Sequence, residues 1–237
     1  MEDEDISSSN TEKDLGIHID SKLKFQTHIS TQVKKANQKL GLIKRSFSYI
    51  DKEMFLTLYK SLVRPHLEYG NNIWSVIYKK DAVLLENVQR RATKLVRSIS
   101  NLTYTERLKY LGLPTLQYRR LRSDLVETFK IMNNIDKVDS NSLFPRSTST
   151  TRGHNFKIYK QHCRTNIRKY SFTQRVVDCW NNLPVNVVNA PSVNSFKNQL
   201  NSHWRTFKLK FEADCYGPEA GGEVRNLRWV REATPTQ

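Results

Sequence analysis

The chain has 237 residues, with 39 Lys and Arg against 23 Asp and Glu, a formal net charge of +16 and a hydrophobic fraction of 38%. That length admits one large domain or two small ones around a sizeable core, and the apolar fraction exceeds that of a fully disordered chain. A balance this basic points to a polyanionic partner, nucleic acid before an acidic membrane surface, and no apolar run reaches the length of a membrane span.

Residues 1–12 open with MEDED, are rich in Ser and Asn, and are expected to be disordered. They are acidic, unlike a secretory signal, so the protein is not expected to be secreted. Three widely spaced cysteines, Cys163, Cys179 and Cys215, give no disulfide framework and fit a reducing compartment, nucleus or cytoplasm.

The first patterned stretch is KDLGIHIDSKLKFQTHI, from Lys13 to Ile29. Leu15, Ile17 and Ile19 alternate with Gly16 and His18, Asp20 and Ser21 interrupt, and Leu23 and Phe25 resume the alternation. The pattern predicts a short β-hairpin with Asp20 in its turn. A lone hairpin is marginal in water and needs an apolar surface to pack on.

Helices follow. Ile29, Val33, Ala36, Leu40, Ile43 and Phe47 form one stripe, with Lys34, Lys35, Lys39, Lys44 and Arg45 off it. Asp51 caps a second helix carrying Phe55, Leu58, Tyr59 and Leu62, which Pro65 ends or kinks. Leu67, Tyr69, Ile73 and Trp74 continue beyond it. Asp81 opens a third helix with Leu84, Val88, Ala92, Leu95 and Ile99 inward and Arg90, Arg91, Lys94 and Arg97 around the remainder. Thr103 and Glu106 have capping-box spacing, and Gly112 suits the end of that short helix. From Pro114 and Thr115 another helix turns Tyr118, Leu121, Leu125, Phe129 and Met132 inward and Arg119, Arg120 and Arg122 outward.

Residues 134–155 are Ser/Thr/Asn-rich and read as a linker. Phe156, Ile158 and Tyr159, then Ile167, Tyr170 and Phe172, predict a small β element near 156–172. A helix carrying Phe172, Val176, Cys179 and Trp180 is expected to stop at Pro184, and Ser192 to cap a last helix with Val193, Phe196, Leu200, Trp204 and Phe207 on one face. The fold class is therefore mainly α: a helical bundle with an N-terminal hairpin. Its parts are 1–12, a bundle over 13–133, the linker 134–155, an α/β segment over 156–208 and a poorly ordered tail over 209–237.

Catalytic signatures are sparse. There is no Asp-Asp pair, no Walker loop and no nucleophile elbow. His154, His162 and Cys163 lack zinc-ligand spacing, and Cys179 beside Trp180 belongs in a core. Basic clusters are abundant instead. Lys34, Lys35, Lys44, Arg45, Arg90, Arg91, Lys94, Arg97, Arg119, Arg120 and Arg122 are the candidate nucleic-acid contacts, able to neutralise phosphates without reading sequence. One such cluster is ordinary on a solvated helix face; four on successive helices carry the argument. Tyr49 and Tyr78 are candidates for stacking on bases.

DLGIHIDSKLKFQTHI resembles the segment that closes the palm and opens the thumb in reverse transcriptases of non-long-terminal-repeat retrotransposons, the jockey type especially. FLTLYKSLVRPHLEYGNNIWS, LLENVQRRATKLV, LGLPTLQYRRLRSDLVETFKI and SFTQRVVDCWNNLPVNVVNAPSVNSFKNQL resemble the family's following blocks, in order, over roughly residues 12–208. The resemblance implies an RNA-directed DNA polymerase whose catalytic aspartates, and the magnesium they hold, lie upstream of the first block. No catalytic residue carries over, and the fragment is expected to be inactive alone and to need no cofactor. What carries over is a thumb-like and post-polymerase helical region, binding RNA, DNA or an RNA–DNA hybrid, with neither membrane nor small-molecule substrate. The alternatives are an unselected fragment, or a host-retained interaction module docking through exposed Trp74, Tyr78 and Trp204.

Overall fold

The computed structural model describes residues 9–74, 76–148, 153–205 and 210–211. The expectations for residues 1–8, Phe207, Cys215 and the tail beyond 211 lie outside the described residues.

The molecule is mainly helical with an N-terminal antiparallel hairpin, β1 (Thr11–Asp14) against β2 (Ile17–Asp20). The register pairs Asp14 with Ile17, so the turn is the two residues Leu15 and Gly16, both with positive φ. The turn expected at Asp20–Ser21 is therefore one strand earlier, and Thr11 and Glu12 are strand residues. The physical reason is twist: a two-residue loop with both φ positive matches the twist of its strands, and Gly16 adopts that conformation readily. Asp20 has a different task. Its carboxylate accepts hydrogen bonds from the backbone N–H groups of Lys22 and Lys24 (3.1 Å each) and Phe25 (2.6 Å), folding the chain into the next helix.

That helix, α1 (Gln26–Ser46), buries Ile29, Ala36, Leu40 and Ile43, together with His28 and Gln32. Val33 is half-buried and Phe47 is exposed, so the stripe is narrower than the sequence pattern. α2 (Lys52–Leu58) is capped by Asp51, which accepts from Met54 N–H at 2.8 Å. A π-helical turn over Tyr59–Val63 joins it to α3 (Arg64–Glu68). Pro65 accounts for that turn: proline clashes with the carbonyl four residues back, and one wide turn relieves the clash without stopping the helix. Leu67 and Trp74 are buried, whereas Leu62, Tyr69 and Ile73 are exposed.

α4 (Lys79–Thr93) buries Ala82, Leu85, Val88 and Ala92. Leu84 is exposed and Leu85 takes the core position. The helix ends at Thr93, and Val96 and Ile99 enter the core from the following 3₁₀ turn at Arg97–Ile99. α5 (Tyr104–Leu111) has the expected Thr103–Glu106 capping box and ends at Gly112 with φ 66°. α6 (Leu116–Met132) is capped by Thr115.

All the buried apolar residues except Ile77 and Ala82 fall into two clusters. One runs from Ile17 to Leu116, the other from Tyr118 to Trp204. α6 therefore packs with the C-terminal segment. The stretch expected to be a linker contributes to that second core: it contains α7 (Ser140–Leu143), the buried Phe144, and the buried His154. The β element near 156–172 reduces to one bridge, Arg146 with Ile158; Ile167 and Tyr170 lie in α8 (Asn166–Tyr170). The helix expected before Pro184 is split into α9 (Phe172–Arg175) and α10 (Val177–Asn181). α11 (Val185–Val188) and α12 (Val193–His203) are the last helices among the described residues, with Ser192 capping α12 and Phe196, Leu200 and Trp204 buried.

Candidate nucleic-acid interface

Burial of one stripe of α1 fixes what its other face presents. With Ile29, Ala36, Leu40 and Ile43 inward, Lys34, Lys35, Lys44 and Arg45 are all exposed. α4 behaves likewise: with Leu85, Val88 and Ala92 inward, Arg91 and, just past the helix, Lys94 are exposed. α1 and α4 pack on each other, and the two basic sets meet. An open groove of about 390 Å³ between them is lined by Asn37, Leu40, Gly41, Lys44, Arg91, Lys94 and Leu95. A second depression runs along α1 past Lys34, Gln38 and Arg45, sharing Asn37 and Gly41 with the first.

The face is electrostatically one-sided. α1 contains no acidic residue, and the two of α4, Asp81 and Glu86, are buried. Lys34, Lys35, Lys44, Arg45, Lys94 and Arg97 make no ion pair among the described residues. Nearby histidines register the field. The pKa of His66 is depressed by burial and then by the positive charges of Lys35 and Lys39. A phosphodiester backbone in the groove would meet cations from two helices with no opposing carboxylate.

Arg90 sits differently from Arg91. Its guanidinium lies 4.7 Å from the Tyr104 ring, half-buried over a polar network. In that network Tyr104 O–H donates to Glu86 Oε1 (2.6 Å), Tyr59 O–H donates to Gln89 Oε1 (2.5 Å), and Leu116 N–H donates to Glu86 Oε2 (3.0 Å). Burial raises the pKa of Glu86, and the bonds from Tyr104 and Leu116 oppose that rise. Arg97 is exposed on the 3₁₀ turn.

Arg119, Arg120 and Arg122, expected outside, are half-buried between elements. Arg119 pairs through two nitrogens with Glu68 of α3, Arg120 lies over the Trp74 ring at 5.8 Å, and Arg122 Nε donates to Asn201 Oδ1 of α12 at 2.9 Å. They bind α6 to its neighbours and take no part in the α1–α4 groove. The partners lie 46 to 79 residues away in sequence, beyond the reach of helical periodicity.

The sequence reading missed Asn37 and Gly41. A glycine inside an otherwise strong helix was the available signal, since such a position often serves close approach. A Cβ added at Gly41 would meet nothing within 4 Å, so the groove is open at that point.

Other candidate residues are placed inside the fold. His154 Nε2 is 3.1 Å from the Trp180 carbonyl and its Nδ1 accepts from Phe156 N–H. Cys179 is buried and burial pushes its thiol up. Trp74 and Trp204 are buried and Tyr78 is half-buried, so the expected exposed docking patch is not formed. Among the described residues no three His, Cys, Asp or Glu side chains come together as a metal site. No helix of the described residues is long and apolar enough to cross a membrane.

No protein-family model matches the chain. It is similar to an uncharacterized protein of Caenorhabditis elegans, 30% identical over 115 residues, which cover 47% of this chain and 58% of that protein. The chain thus spans less than two thirds of that relative's length. No solved structure matches.

Proposed function

We propose that the chain is a helical nucleic-acid-binding module whose α1–α4 groove receives a sugar–phosphate backbone without reading bases. The observation that carries this is the meeting of Lys44 from one helix with Arg91 and Lys94 from another in one open groove beside Gly41, free of exposed carboxylates on either helix. Lys and Arg in such a groove gain affinity by displacing counterions from phosphates. Five ordered sequence blocks support reading the module as the thumb and post-polymerase part of a non-long-terminal-repeat retrotransposon reverse transcriptase. In that reading it grips a template–primer duplex or RNA–DNA hybrid and does no templated synthesis by itself. Burial of Trp74 and Trp204 weighs against the alternative of an apolar docking module.

The test is fluorescence anisotropy with an 18-base-pair DNA duplex and the matching RNA–DNA hybrid over a salt series. Binding should weaken steeply with salt. The variant K44E/R91E/K94E should bind at least roughly tenfold more weakly, with a salt slope smaller by about 2 to 3. Unchanged affinity in that variant, or binding indifferent to salt, overturns the reading. Templated, magnesium-dependent primer extension by the purified chain would overturn the assignment of a non-catalytic role.

A further inference from the structure

The α1–α4 groove does not absorb all the excess charge. From Ser140 to Arg205 the sequence carries ten Lys and Arg and a single acidic residue, Asp178. Asp178 is occupied by Lys160, whose Nζ donates to both carboxylate oxygens at 2.7 Å. Arg175 is neutralised by Asp124 of α6. Three of the others, Arg164, Arg168 and Lys169, fall within six residues of one another in and just before α8.

The surface there is built on a clamped ribbon. Asn181 of α10 grips Ile158 from both sides: Ile158 N–H donates to Asn181 Oδ1, and Asn181 Nδ2 donates to the Ile158 carbonyl, each at 2.8 Å. Ile158 is thereby held inward in the core. In extended chain neighbouring side chains alternate, so Tyr159 is turned out, where it is 56% exposed. Lys160 stands beside it on the surface. α8 is tied back to the same ribbon by Arg168, whose Nη2 donates to Gln161 Oε1 at 2.7 Å. Arg164, Arg168 and Lys169 are all exposed there. The result is an exposed aromatic ring on a ribbon clamped at Ile158, with the helix that carries the exposed Arg168 and Lys169 tied to Gln161, two residues beyond Tyr159.

We propose that this surface, Tyr159 with Arg164, Arg168 and Lys169, is a second nucleic-acid site that takes a single strand. Tyr159 is the platform for an unstacked base, and the cations engage the phosphates on either side of it. A duplex keeps its bases stacked and has no face to offer the ring; a single strand does. The α1–α4 groove has cations but no exposed aromatic ring among its lining residues. The two surfaces therefore divide the work, one for duplex backbone and one for the strand that leaves it. The inference uses residues separate from the groove and stands or falls independently of it.

The test uses the full chain, an 18-nucleotide oligouridylate, the 18-base-pair duplex and heparin as a polyanion without bases. Y159A should weaken oligouridylate binding by roughly tenfold, with Y159F close to wild type and duplex and heparin binding nearly unchanged. R164E/R168E should weaken oligouridylate binding and lower its salt slope by about 2. Three results overturn the inference: no oligouridylate binding by wild type, unchanged oligouridylate binding in Y159A, or an equal loss on heparin. None of these touches the duplex arm of K44E/R91E/K94E, whose failure would remove the groove reading and leave the single-strand site standing.

Discussion

Arg175 and Asp124 form a buried two-pronged ion pair, Nε to Oδ2 and Nη2 to Oδ1, each at 2.8 Å. The same guanidinium donates to the carbonyls of Asn71 (2.9 Å), Asn72 (3.2 Å) and Tyr170 (3.3 Å). One side chain of α9 thus ties α6 to the connection between α3 and α4. It is a polar rivet between the two hydrophobic clusters, and hence between the elements carrying the two proposed binding surfaces.

Removing the rivet should be costly and asymmetric. R175A strands a buried carboxylate and three backbone carbonyls, and should destabilise by about 3–5 kcal/mol. D124A leaves Arg175 its three carbonyl partners and should cost less. R175K should resemble R175A more than wild type, because an ammonium cannot reproduce the fork. Urea unfolding of the three variants checks the order; D124A as damaging as R175A would show that the carbonyl contacts contribute little.

The hairpin is seated by a close approach that admits no side chain. Gly70 has φ 63°, and a Cβ there would lie 2.6 Å from Ile17 Cδ1. G70A should therefore destabilise by about 1–3 kcal/mol, from both the left-handed backbone and the overlap. I17V removes the clashing methyl. The cost of G70A should be smaller in an I17V background, and a double-mutant cycle by thermal unfolding reads the coupling.

Acid should loosen the same junction. His28 is fully buried, its Nδ1 accepts from His18 N–H at 3.3 Å, and its ring stands edge-on to Trp74. Burial, then the charges of His18 and Lys35, pull its pKa down to about 4. Between about pH 6.5 and 4 the unfolded chain binds this proton and the folded chain does not, so stability falls as pH falls through that window. The loss from this group is at most about 3 kcal/mol. H28N supplies an amide oxygen as acceptor and does not titrate, so its stability should fall less across the window. His66, His154 and His203 are depressed in the same direction, so a residual slope remains. An acid profile identical to wild type would remove His28 as a source.

What was legible in the sequence was local. Asp51, Thr103 with Glu106, Thr115 and Ser192 are short-range caps, and each does its expected work. The longer helices followed from periodicity, but the short α7, α8 and α11 did not, since four or five residues are too few to show a period; helix faces followed less well. Leu84 and Leu85 both fit a stripe, and only tertiary packing chooses Leu85. The hairpin was visible but its turn was misplaced, because Asp20 has turn chemistry whether it bends a hairpin or starts a helix. The basic candidates separate by tertiary partner: Lys44, Arg91 and Lys94 share a groove, while Arg119 is held by Glu68. Nothing in a run of arginines announces which of them will meet a distant glutamate.

Gly41 separates a binding groove from a merely solvated basic face. It lies in the interior of α1, where glycine costs about 0.5–1 kcal/mol relative to alanine, and a methyl would meet nothing within 4 Å. G41A should therefore stabilise the protein by about that amount. If a phosphate backbone is drawn close at this point, bulk and charge at Gly41 act on affinity in a graded way. G41A should bind duplex much as wild type does, G41L should weaken binding by crowding, and G41E should weaken it most, by setting a carboxylate among Lys44, Arg91 and Lys94. Thermal unfolding confirms that the variants are folded, and anisotropy with the 18-base-pair duplex reads the series. Equal duplex affinity for G41A, G41L and G41E, all folded, would mean that α1 and α4 present ordinary surface charge to water and that phosphates are held elsewhere.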